Sequence, residues 1–106
     1  MWLGNNRGTL NSRRHVDLDA DLDASEFWDF SHHEKGAFDL PTMAKKIIKE
    51  NGSTCWKVNM LGHSLGNTQA YYGMGRGSYM QPYFASVLAL APCFVPNEDH
   101  FTHGNW

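Results

Sequence analysis

Apolar residues fall at Leu40, Met43, Ala44, Ile47 and Ile48, three and four positions apart, while Lys45, Lys46, Lys49 and Glu50 lie off that stripe. That period lays one apolar stripe along a helix running from Leu40. Asp39 stands where a cap is expected, Pro41 suits the first turn, and lysines followed by Gly52 suit the end. Further on, Cys55 to Leu61 reads as a short strand running into Gly62. After a second helix, Phe84-Ala85-Ser86-Val87-Leu88-Ala89-Leu90-Ala91 is an almost unbroken apolar run, the pattern of a strand buried on both faces. The order strand, helix, strand and the length of the connection fit a parallel crossover, so the expected class is α/β.

The first part of the chain is less regular. Met1-Trp2-Leu3 gives way at once to the turn cluster Gly4-Asn5-Asn6-Arg7-Gly8, as though the sequence opened in mid-element, and Thr9 to Asp23 is polar and aperiodic. Asp17, Asp19, Asp21 and Asp23 alternate there, but a calcium loop needs glycine where Leu22 stands and a bidentate glutamate where Trp28 stands. We read a solvated acidic loop. Ser25 and Glu26 then open a short helical turn whose Phe27, Trp28 and Phe30 serve as core anchors. The expected layout is loop and helix over 1–52, strand, turn, helix and strand over 53–96, and a polar tail over 97–106.

Composition narrows the function classes. The chain has 106 residues, a formal charge of −2, 42% hydrophobic and 19% charged residues, an ordinary globular balance that sets one small domain as the ceiling. Lys and Arg are scattered, so no nucleic-acid footprint is expected. No apolar run reaches the roughly 18 residues of a transmembrane span. Cys55 and Cys93 sit at the start of one expected strand and the end of the next, which favours separate buried thiols over a disulfide.

Candidate chemistry sits between the first strand and its helix. Gly62-His63-Ser64-Leu65-Gly66 matches Gly-x-Ser-x-Gly, the nucleophile elbow. A serine at a sharp strand-to-helix turn takes a strained backbone, and small residues two positions to either side let the chain pass; Gly62 and Gly66 meet that need. Ser64 is the candidate nucleophile, and the Leu65 N–H, at the helix start, is a candidate donor to an oxyanion. A glycine-rich turn with an incidental serine is the bland alternative. His63 beside the nucleophile is expected to point into the fold. His32-His33 with Glu34 lacks metal-ligand spacing and reads as surface. Gly73, Gly75 and Gly77 follow a helix instead of a strand, with Ser78 where a nucleotide fingerprint has its third glycine, and read as a flexible connection. No metal or cofactor is expected.

Nearly the whole chain also resembles the acid lipases, the gastric and lysosomal α/β-hydrolases that cleave triacylglycerols and cholesteryl esters. The marks are Trp2-Leu3-Gly4-Asn5-Asn6-Arg7-Gly8, Ser12-Arg13-Arg14-His15, Phe27-Trp28-Asp29-Phe30-Ser31 with Glu34, Asp39-Leu40-Pro41, the elbow, and Leu88-Ala89-Leu90-Ala91-Pro92. Asn6 departs from the family's usual serine, and Leu65 and Asn67 from its glutamine and threonine. The resemblance implies a partial α/β-hydrolase fold, Ser64 as nucleophile, the Leu65 N–H as one oxyanion donor, and a lipid ester substrate met at a lipid interface. It also implies a secreted or lysosomal location, and an acid and a histidine after later strands. Those regions are not recognisable here. At roughly 30 residues per strand-helix-strand step, a chain of this length holds about three strands, which reads as an internal fragment. A triad completed locally by His100 or His103 with Glu98 or Asp99 is the minor reading, and a non-catalytic hydrolase scaffold is the alternative from another class.

Overall fold

The helix expected from Leu40 is present, but it starts earlier than its apolar stripe. In the computed structural model, which describes residues 1–75 and 79–92, α1 is the short turn Ala24–Phe27 and α2 is His32–Glu34. A wider π-helical stretch, Lys35–Asp39, then runs without a break into α3, Leu40–Glu50. Pro41 lies inside this continuous helix. A proline there lacks an N–H, and its ring crowds the carbonyl four residues back, that of Ala37, inside the stretch where the helix widens.

The true start of the helix is Ser31. Its hydroxyl accepts from the His33 N–H at 3.1 Å, while the Glu34 carboxylate takes the Ser31 N–H at 2.7 Å and its hydroxyl at 2.6 Å. These donors hold the Glu34 pKa down from 4.5 to about 2. Asp39 is therefore not the cap that the sequence led us to expect: its backbone is helical and its side chain makes no cap bond. It faces Arg7 instead. Asp39 Oδ2 accepts the Arg7 backbone N–H at 3.0 Å, and Oδ1 accepts Nε at 2.8 Å and pairs with the guanidinium nitrogen NH2 at 2.7 Å. The same guanidinium lies 5.8 Å from the Phe30 ring centroid and 5.9 Å from that of Phe38. Segments far apart in sequence thus meet on one charge.

The sheet has two strands among the described residues, where about three were expected. β1 is Val58–His63 and β2 is Phe84–Leu90, parallel, with Leu61 opposite Leu88, Gly62 opposite Ala89 and His63 opposite Leu90. β1 begins three residues later than Cys55 and continues through Gly62 to His63, because its ladder with β2 runs on to the turn. The crossover between the strands is α4, Leu65–Gly75. Leu40, Ala70 and Met80 form the buried cluster, with Met60, Phe84 and Val87 packed against it. That covers one sheet face. On the other, Leu61 is 62% exposed and Leu88 is 62% exposed, so β2 alternates in burial and is not enclosed on both faces as its apolar run suggested.

Close helix packing depends on small residues. A Cβ at Gly36 would collide with the Gln69 carbonyl and lie 2.7 Å from the Gly73 nitrogen, and one at Gly73 would meet the Gly36 carbonyl and Met80 Sδ, each at 2.7 Å. Gly73 and Gly75 belong to α4, so they are not a flexible connection; Gly77 lies outside the described residues. Of the aromatic anchors, Phe27 is buried, Phe30 is half-buried and Trp28 is largely exposed while its Nε1–H donates to the Ala20 carbonyl at 3.1 Å. Within the acidic loop, Asp19 Oδ1 accepts the Asp21 and Leu22 amides at 2.9 and 3.0 Å, and Asp23 Oδ2 accepts that of Asp19 at 2.8 Å. Its carboxylates cap the loop's own backbone.

Two outcomes test this account. Gly36→Ala is expected to lower stability by roughly 1–3 kcal/mol, because the added methyl meets backbone that cannot rotate away; thermal unfolding measures it, and an unchanged midpoint would refute the close approach. The Glu34 carboxyl has a folded pKa below its unfolded value, so its contribution is full above the unfolded value and is lost as pH falls from 4.5 through about 2. The melting difference between the unsubstituted chain and Glu34→Gln should therefore close over that acid range.

Candidate active site

Ser64 follows the last residue of β1 directly and precedes the first residue of α4, so one residue makes the whole change from strand to helix. It does so at a φ of 49°, in the left-handed region. A serine held there costs on the order of 1–3 kcal/mol unless its surroundings over-determine it. Three hydrogen bonds surround the turn. The Ser64 N–H donates to the Leu90 carbonyl at 3.1 Å, extending the β1–β2 ladder by one rung. The Asn67 N–H donates to the Ser64 carbonyl at 3.0 Å. The Asn67 side-chain Nδ2 donates to the same Leu90 carbonyl at 2.7 Å.

The geometry leaves Ser64 half-buried at the end of the sheet, with Leu65 as the first residue of α4. The first amides of a helix have no intrahelical acceptor, and the dipole at that end favours negative charge. Leu65 is the first helical residue after Ser64, so its N–H is one of those amides. A serine hydroxyl beside the first amides of a helix is an arrangement that can take up a carbonyl oxygen as it gains charge.

The two glycines play different parts. A Cβ at Gly62 would collide with Asn67 Oδ1 and come within 3.2 Å of its Cγ, so Gly62 leaves room for the Asn67 carboxamide. A Cβ at Gly66 would meet nothing within 4 Å. The expectation that both must be small holds for Gly62 only, because Gly66 already faces open space on the first turn of α4. His63 corrects a second expectation. It is exposed, on the face it shares with Leu61, because β1 alternates and Gly62 takes the inward position.

His32 and His33 are half-buried instead of lying on the surface. The His33 ring lies 6.3 Å from that of Tyr72 and 6.5 Å from that of Tyr79. Burial, then the Lys35 charge, lowers the His32 pKa. Cys55 is half-buried, its thiol donating to the Lys57 carbonyl at 3.2 Å; Cys93 lies outside the described residues, as do Glu98, Asp99, His100 and His103. A cavity of about 480 Å³ is walled by Arg7, Arg14, Phe27, Phe30 and Asp39. None of its lining residues belongs to the elbow. No helix among the described residues is long and apolar enough to cross a membrane.

The residue that sequence reasoning passed over is Asn67. It is fully buried, yet it figured only as a departure within the elbow. The available signal was the polar run Asn67-Thr68-Gln69 in the first turn of a helix that also buries Ala70 and Gly73; all five are buried.

Strand, left-handed serine, helix and parallel strand together define an α/β unit with its candidate nucleophile at the strand end. No protein-family model matches the chain, and no solved structure gives a significant match. Curated relatives do. The chain is 40% identical over 102 residues to Lipase 1 of Drosophila melanogaster, covering 94% of this chain and 22% of that protein. It is 34% identical over 92 residues to gastric triacylglycerol lipase of Rattus norvegicus, and 34% identical over 92 residues to lysosomal acid lipase/cholesteryl ester hydrolase of Macaca fascicularis. Each of these matches covers 87% of this chain and 22% of the relative. The chain is thus similar to these lipases over most of its own length and spans about a fifth of theirs.

The glycines give the test of this geometry. Gly62→Ala is expected to displace the Asn67 carboxamide and destabilise the fold by roughly 1–3 kcal/mol, whereas Gly66→Ala should leave stability unchanged or slightly raised, since alanine favours helix. Equal losses in denaturant titrations of the two variants would contradict it.

Proposed function

We propose that this chain carries the nucleophile of a serine ester hydrolase with an α/β-hydrolase fold, acting on lipid esters. The observation that carries the reading is Ser64 in the left-handed conformation between a parallel strand and its helix. The names of the relatives, gastric triacylglycerol lipase and lysosomal acid lipase/cholesteryl ester hydrolase, support triacylglycerols or other carboxylic esters of lipids as the substrate class. They also support a secreted or lysosomal setting, and the proposal includes action at a lipid interface. No cofactor is required.

In this reaction the Ser64 Oγ adds to the ester carbonyl carbon while its proton passes to a histidine base. The base and its acid partner belong to parts of the polypeptide outside the described residues. The carbonyl oxygen becomes an oxyanion facing the Leu65 N–H. Collapse of the adduct breaks the bond to the alcohol, which takes the proton from the histidine, and leaves an acyl-serine. Water then adds to the acyl carbon, the same histidine moves its proton, and the fatty acid leaves.

A fluorophosphonate ester probe tests this on the longest natural polypeptide that carries the chain and on the 106-residue chain itself. Labelling of the polypeptide that Ser64→Ala abolishes is the expected result. Labelling of the short chain as well would bring the base inside residues 1–106, whereas labelling undiminished by Ser64→Ala would remove Ser64 from the chemistry.

A further inference from the structure

Asn67 is 0% exposed, and its carboxamide is used in an unusual way. A polar side chain at a helix start commonly accepts from the helix's own amides. This one donates, and it donates out of its helix to the last carbonyl of β2, with Nδ2 2.7 Å from the Leu90 oxygen. That oxygen also takes the Ser64 N–H at 3.1 Å. Asn67 grips the serine a second time through its backbone, since its own N–H closes on the Ser64 carbonyl at 3.0 Å. Its other side-chain atom, Oδ1, is buried with no hydrogen-bond partner among the described residues and packs where a Gly62 Cβ would stand. A buried, half-satisfied carboxamide is a standing cost to the fold, and the features it meets all belong to the turn: Ser64, Gly62 and the carbonyl that Ser64 shares.

We propose that Asn67 is a positioning residue for Ser64: by locking the first turn of α4 to the Leu90 carbonyl, its carboxamide holds the serine in the left-handed conformation and so aims the hydroxyl. The proposal rests on Ser64 being the nucleophile. The left-handed φ needs an outside constraint, the ladder bond from Ser64 supplies one tie, and Asn67 supplies the other from the helix side. With both donors on one acceptor, strand end, turn and helix start move as a unit. Without the carboxamide, the helix start is free to shift relative to β2, and the hydroxyl shifts with it.

The test compares Asn67→Asp and Asn67→Ala with the unsubstituted protein, in the longest natural polypeptide that carries this chain. Aspartate keeps the shape but, when ionised, sets a carboxylate against the Leu90 carbonyl; alanine removes the group. Amide hydrogen exchange at Ser64 reads the clamp whether or not the serine reacts, and fluorophosphonate labelling at varied probe concentration reads the aim of the hydroxyl. At neutral pH both variants should exchange the Ser64 amide faster and lose roughly ten- to a hundredfold in maximal labelling rate, at an unchanged half-saturating concentration. Relative to the unsubstituted protein, Asn67→Asp should recover as pH falls, because the protonated carboxyl again donates to Leu90, and Asn67→Ala should not. If the Ser64 amide exchanges as slowly in both variants as in the parent, the clamp does not exist. Faster exchange with an undiminished labelling rate, or equal losses with no acid recovery in Asn67→Asp, would show a merely structural residue. Absence of labelling in the unsubstituted protein would instead sink the nucleophile reading, with the exchange arm still deciding the clamp.

Discussion

Parallel pairing of β1 with β2 is the constraint from which the rest of this structure follows. Two parallel strands cannot be joined by a tight turn, so the chain must leave the sheet, return along its face and enter again from the same end. α4 is that return. It begins one residue after the ladder ends, and the backbone has only Ser64 in which to turn; the left-handed φ of 49° is the result. A hydroxyl raised at the end of a strand, beside the first amides of a helix, is thus a product of topology before it is a matter of chemistry.

The second condition is that α4 lie close enough to α3 and the sheet to exclude water with few large side chains. Gly36 and Gly73 bring backbone against backbone, and Ala44 in α3 and Ala70 in α4, both 0% exposed, add little bulk. Met80 fills what remains, touching Gly73 from the segment that leads into β2. Interiors are close-packed, so a small residue at such a crossing acts by what it lets its neighbours do. The Arg7–Asp39 pair serves the same end by another force, drawing the N-terminal segment onto the start of α3 with Asp39 only 10% exposed.

Much of this was legible from residue order. The stripe from Leu40 to Ile48 marks a helix, and the Gly-x-Ser-x-Gly pattern placed after a strand and before a helix singles out Ser64 and Leu65. The local signals also misled. Asp39 looks like a cap because it precedes an apolar stripe, but the helix already runs from Ser31 and the carboxylate is claimed by Arg7, 32 positions away. His63 looks enclosed by its motif, but strand alternation turns it outward once Gly62 faces in. The run from Phe84 looks buried on both faces, but only one face is covered among the described residues.

What the sequence determined by itself was the alternation of strand and helix, the parallel return and the identity of the residue at the turn. These depend on periodicity, glycine placement and connection length, all of which act over a few residues. Only the tertiary structure decided which glycine has a neighbour to avoid, which carboxylate has a cation to meet, and that Asn67 and Ser64 share one acceptor on Leu90. The last two depend on distances between segments 32 and 23 residues apart. No local pattern encodes such distances, because they exist only once the strands have paired and the helices have packed.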